Sequence, residues 1–247
     1  MHVETRHTPS FGIARCTLNG GESIKVEAGA MMAMSTGMEL QAKAEGGVFK
    51  SLKRAALGGE SFFLTTYHAP SQGGFVDVAP RLPGDLVTFD LTPDRSYVIQ
   101  KGSWLASSND VALDTKWGGF KNMFGSEGGF VVRAAGTGPL VLGCFGALDK
   151  WGLAAGESVT VDTGHMVAYQ DTVTMNLRKV TGGLVQSFKS GEGIVFDFTG
   201  PGIVYTQTRN PNELLGWIGS AIGTGNSSGG AGAVLGGGLL GGLLSRD

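Results

Sequence analysis

The chain has 247 residues, 43 of them glycine and only 16% charged, with a formal net charge of −2. Glycine stands at well over twice its usual share of about 7%, yet proline is only 8 of 247, which argues against a disordered low-complexity chain. The near-neutral charge argues against the dense Lys/Arg patch by which nucleic acid is gripped.

In chain order, the entry strand is Phe11-Gly12-Ile13-Ala14-Arg15-Cys16-Thr17-Leu18, turned by Asn19-Gly20-Gly21. Ser23 to Glu27 alternates Ile24 and Val26 with polar residues, the period of a half-buried strand, and Ser158 to Asp162 repeats this with Val159 and Val161. Aromatic and β-branched runs at Phe62-Phe63-Leu64-Thr65-Thr66-Tyr67, Phe130-Val131-Val132-Arg133 and Ile194-Val195-Phe196-Asp197-Phe198 predict central strands. The best short-helix candidate before residue 210 is the stretch 48–57.

These segments recur. Gly21-Glu22-Ser23-Ile24 and Gly156-Glu157-Ser158-Val159 open two copies of one pattern, and Gly84-Asp85-Leu86-Val87 opens a more worn middle copy. Each copy then carries a glycine turn (Gly29, Gly102, Gly164), a double glycine (46–47, 118–119, 182–183) and an apolar strand. Three recurrences in one order predict an internal triplication. Its repeats lie at about 11–80, 81–150 and 151–210 and are related by a pseudo-threefold axis, with a Gly/Leu-rich tail at 211–247. The glycine after each first strand fits a turn with positive φ, which glycine enters freely. In the tail, Asn212 is the expected N-cap of a helix with Glu213 at its positive end. Apolar residues spaced by glycine follow, with no charge between Glu213 and Arg246.

Chemistry is sparse. Only four histidines exist, His2, His7, His68 and His165, with no H-x-H and no H-E-x-x-H. Cys16 and Cys144 are too few for a tetrahedral zinc site and read as buried free thiols in a reducing compartment. Nucleophile elbow, phosphate loop and dinucleotide fingerprint are all missing. Glu22, Asp85 and Glu157 read as hairpin-turn acceptors of backbone hydrogen bonds in preference to a symmetric cation site. His165 reads as a tolerated variation at the place of Ala30 and Ser103.

The run Gly21-Glu22-Ser23-Ile24-Lys25-Val26-Glu27-Ala28-Gly29-Ala30-Met31-Met32-Ala33-Met34, with Gly58-Gly59-Glu60-Ser61-Phe62-Phe63, resembles the family named for altered inheritance of mitochondria. The resemblance spans about 21–209. It implies an all-β fold of three tandem, pseudo-symmetric β-sandwich units, TRAP-like in the manner of the tryptophan RNA-binding attenuator, in one compact body. It implies no enzymatic activity, and its fungal members are linked to inner-membrane organisation in mitochondria. RNA or tryptophan binding does not transfer with the fold.

The expectation is therefore a non-enzymatic scaffold or docking module without cofactor or metal. Its partners would be an unknown protein or an anionic membrane surface, and copies of itself, with no nucleic acid. A polar N-terminus without a presequence places it in the cytoplasm, membrane-associated, if at all, through the tail. The alternatives are a ligand sensor with a pocket at Trp104, Trp117 or Trp151, and an RNA-binding module. The candidate docking residues lie in the three double-glycine loops: Phe49, Lys50, Leu52 and Lys53; Phe120, Met123 and Phe124; Val185, Phe188 and Lys189. Two placements are open for them. Phe49, Phe124 and Phe188 either fold inward to cap the core or form an apolar patch with a basic rim.

Overall fold

The structure is a computed structural model describing residues 1–44, 63–100, 102–114, 131–179 and 194–223. Its body, Met1–Asn210, is built almost wholly of antiparallel strands, and Pro211–Asp247 is a separate unit. The fold is the all-β one that the sequence predicts.

After a leading strand β1 (His2–Arg6), six strands form a first unit: β2 (Ile13–Leu18), β3 (Ser23–Glu27), β4 (Met31–Met34), β5 (Glu39–Ala44), β6 (Phe63–His68) and β7 (Gly74–Val78). A second comprises β8 (Leu86–Leu91), β9 (Tyr97–Gln100), β10 (Trp104–Ser108), β11 (Val111–Asp114), β12 (Val131–Gly136) and β13 (Gly138–Gly143). A third comprises β14 (Leu148–Leu153), β15 (Ser158–Asp162), β16 (Met166–Gln170), β17 (Thr174–Lys179), β18 (Ile194–Thr199) and β19 (Gly202–Gln207).

One ladder scheme holds in all three. The sixth strand of each unit pairs with its first and its third: β7 with β2 and β4, β13 with β8 and β10, β19 with β14 and β16. The fifth pairs with the second and the fourth: β6 with β3 and β5, β12 with β9 and β11, β18 with β15 and β17. Each third strand carries a bulge at one place, between Met31 and Ala33, Trp104 and Ala106, and Met166 and Ala168. The extra residue locally disrupts the ladder and bends the strand.

Consecutive units share sheets. The third strand of one adds to the second strand of the unit before it, β10 to β3 and β16 to β9. The result is a four-stranded sheet (β1-β2-β7-β4), two six-stranded sheets (β5-β6-β3-β10-β13-β8 and β11-β12-β9-β16-β19-β14) and a three-stranded sheet (β15-β18-β17). Three cores lie between successive sheets. The first holds Cys16, Ile24, Val26, Val76, Leu105 and Val141; the second Ile99, Trp104, Leu142 and Tyr205; the third Met166, Tyr169, Phe196 and Phe198. Period-2 alternation sends neighbours on one strand to different cores, as with Val98 in the third and Ile99 in the second. Among the described residues no ladder joins β4 to β15, so the pairing within one chain runs from unit to unit and leaves β4 and β15 as sheet edges.

Two sequence expectations need correction. The middle unit's counterpart of the Glu22 turn is not Gly84-Asp85. Glu22 N–H donates to Asn19 O and Glu157 N–H to Ala154 O, and the matching bond is Arg95 N–H to Thr92 O. Gly84 instead precedes a first strand. Its carbonyl accepts Gly12 N–H at 2.8 Å, and it bridges in parallel to Gly146. The tail helix α1 spans Pro211–Gly223, beginning one residue before the expected cap Asn212, with proline at the first helical position where a missing N–H costs nothing. The stretch 48–57 lies outside the described residues.

Candidate functional site

The ten loop candidates, Phe49, Lys50, Leu52, Lys53, Phe120, Met123, Phe124, Val185, Phe188 and Lys189, all lie outside the described residues. Of the three turn glycines, Gly29 (φ 88°) and Gly102 (φ 85°) take the left-handed backbone. Gly164 does not. It sits in a 3-10 turn, Thr163–His165, whose N-cap Asp162 accepts its N–H at 2.9 Å. Glycine is required there for space, since a Cβ would lie 2.2 Å from the Asn210 side chain.

His165 is tied into the structure. Its Nδ1 lies 2.7 Å from the Gln207 carbonyl oxygen, so that nitrogen carries the proton and donates. Glu22 accepts Asn19 N–H at 2.7 Å and the Met1 amine at 2.9 Å, while Glu157 accepts Ala154 N–H at 2.9 Å. The Asn19 amide, then the terminal amine, hold Glu22 below its usual range. Both glutamates thus cap their turns, and Arg95 stands at the third position of the set. Among the described residues no three His, Cys, Asp or Glu side chains converge as metal ligands. Burial pushes the Cys16 thiol up to about 12 and Cys144 to about 11, so neither carries useful thiolate at neutral pH.

The tryptophans separate. Trp104 is buried in the second core, Trp151 is exposed on β14, and Trp117 lies outside the described residues. An open cleft of about 290 Å³ is lined by Met1, His2, Val3, Thr88, Phe89, Asp90 and Pro139, none of them tryptophan.

Two surfaces stand out. The first is the outer face of the four-stranded sheet. There the buried Asp77 carboxylate takes two bonds from Arg15 at 2.9 and 2.8 Å and one from Arg6 at 3.1 Å, with Arg15 laid 3.9 Å over the Phe75 ring. The Arg15 bonds, reinforced by its charge and that of Arg6, hold the Asp77 carboxyl below its ordinary range. Charge alternation along β1 and β2 carries no strong sequence signal for this clamp, because its partner Asp77 lies 62 and 71 residues away.

The second is α1. At 3.6 residues per turn, Leu214, Leu215, Trp217, Ile218, Ala221 and Ile222 share an arc of roughly 160°, and Asn212, Glu213, Gly216, Gly219 and Ser220 take the rest. Leu215, Trp217 and Ile222 are exposed.

A family model described as mitochondrial biogenesis AIM24 matches residues 3–209. An uncharacterized protein of Streptococcus pyogenes serotype M6 is 29% identical over 227 residues, covering 88% of this chain and 90% of that one. A crystal structure of a Streptococcus pyogenes protein superposes with a TM-score of 0.73 at 25% identity, over 89% of this chain and 99% of the other.

Proposed function

The chain belongs to the AIM24 family, and we propose that it is a non-enzymatic scaffold whose β body is held at a membrane surface by its C-terminal segment. The observation that carries this reading is α1. An apolar arc with tryptophan at its margin matches a helix lying in the lipid interface, where the indole ring sits between apolar chains and headgroups. Between Glu213 and Arg246 the sequence has no charge. Among the described residues no helix is long and apolar enough to cross a membrane, so the contact proposed is peripheral. Gly216 and Gly219 each lower helix stability by about 1 kcal/mol, so the lipid interface would also stabilise the helix itself.

Co-sedimentation with phosphatidylcholine vesicles tests this. The full chain is expected in the pellet. The variant Trp217→Ser/Ile222→Ser is expected in the supernatant with the melting temperature of its body unchanged. If that variant pellets as the wild type does, the membrane reading is wrong. Anionic vesicles are expected to add little to binding by α1, which has no basic residue.

A further inference from the structure

We propose that copies of this chain join head to tail, with β15 of one copy pairing antiparallel with β4 of the next. The missing neighbour of each edge is specified by the chain's own repetition. In the six-stranded sheets the strands run in the unit order fourth, fifth, second, then third, sixth, first. The three-stranded sheet ends fourth, fifth, second (β17-β18-β15), and the four-stranded sheet begins third, sixth, first (β4-β7-β2). They are the two halves of one such sheet, carried at opposite ends of the row. A second copy supplies each half with the other.

The edges are shaped for this. β4 has the same bulge as β10 and β16, the two strands that make the internal joints. Exposure marks the absent neighbours. Met32 is 53% exposed, whereas Leu105, at its position in the second unit, is 1% exposed and Val167, in the third, is 0% exposed. Trp151, opposite Val204 on β19, occupies the place that Phe89, opposite Leu140 on β13, holds one unit earlier. Phe89, half-buried, packs against the next sheet, with its ring 4.7 Å from that of Tyr97 and 5.7 Å from that of Tyr205. Trp151 is 42% exposed, and the four-stranded sheet of a following copy would cover it.

The internal joints also fix the register. They pair Ala106 with Val26, Ser107 with Lys25 and Ser108 with Ile24, and then Ala168 with Ile99, Tyr169 with Val98 and Gln170 with Tyr97. By the same correspondence the joint between copies pairs Ala33 with Val161, Met34 with Thr160 and Ser35 with Val159. Such a contact is heterologous, using two different surfaces of one chain, and adds a strand to an open sheet edge.

The test uses the full chain carrying Met34→Cys and Thr160→Cys. Directly opposed residues on paired strands lie close enough for a disulfide, and the native cysteines are buried. Mild oxidation is expected to give a ladder of covalent multimers on a non-reducing gel. Neither single variant should form the ladder, and the offset pair Met34→Cys/Ser158→Cys should form it several-fold less. In parallel, Met34→Lys/Thr160→Lys should reduce the light-scattering mass of the native protein to that of one chain, and Met34→Glu/Thr160→Lys should restore it. A disulfide closed within single chains overturns the proposal, because β4 and β15 of one copy would then meet. So does no disulfide at all, or an equal ladder from the offset pair. Multimers built through α1 instead would leave the two lysine substitutions without effect.

Discussion

The recurring glycines answer two different demands, and the atoms that an added Cβ would meet separate them. At Gly29 an added Cβ meets nothing within 4 Å, but φ is 88°. Gly29→Ala should therefore cost about 1–2 kcal/mol through backbone strain alone. At Gly84 a Cβ would lie 1.9 Å from the Cys144 carbonyl oxygen, a backbone atom that cannot move without breaking the contact between two unit starts. Gly84→Ala is expected to be the more damaging by several degrees of melting temperature in thermal unfolding. Equal losses would mean that the backbone at Gly84 yields. The sequence showed that glycine recurs at these places but not why. Positive φ and lack of room leave the same mark in a single sequence, as Gly164 demonstrates.

At the scale of elements, β1 has no counterpart in the second and third units, and the Asp77 clamp is what fastens it. Arg6 on β1 and Arg15 on β2 meet on Asp77 of β7, so one carboxylate ties three adjacent strands. Its folded-state pKa is lowered, so the stabilisation is present above the unfolded value near 3.9 and lost as pH falls through the folded one. Asp77→Asn should destabilise the body by about 1–3 kcal/mol near neutral pH, since it leaves two guanidinium groups facing an amide. The difference in melting temperature from wild type should stay constant from neutral pH down to about pH 5 and shrink below the ordinary carboxylate range. A difference that persists undiminished at pH 2 would show that packing, not charge, carries it. β1 itself was not legible in the sequence. His2–Arg6 is too polar to resemble a strand, and it pairs on the side of β2 that is a sheet edge at β8 and β14 among the described residues.

For the whole molecule, the central strands and the glycine landmarks were readable because each unit must bury apolar residues on a period of two. The sharing of sheets between units was not, since nothing in a single strand says whether its partner belongs to its own unit. That sharing makes the body a row in which each core depends on its neighbours. The second core lies between two six-stranded sheets, whereas the third is closed on one side by only β15, β18 and β17. In an isolated copy the third core should therefore open first. Native-state hydrogen exchange of the Met34→Lys/Thr160→Lys variant is expected to show amides of β18 exchanging through openings of lower free energy than those of β12, although Phe196 and Phe198 on β18 are fully buried. In the wild-type chain, where a following copy would complete the three-stranded sheet, the two strands should approach equal protection. If β18 and β12 exchange alike in both forms, the cores unfold as one unit, and the missing half-sheet contributes nothing to the stability of that end.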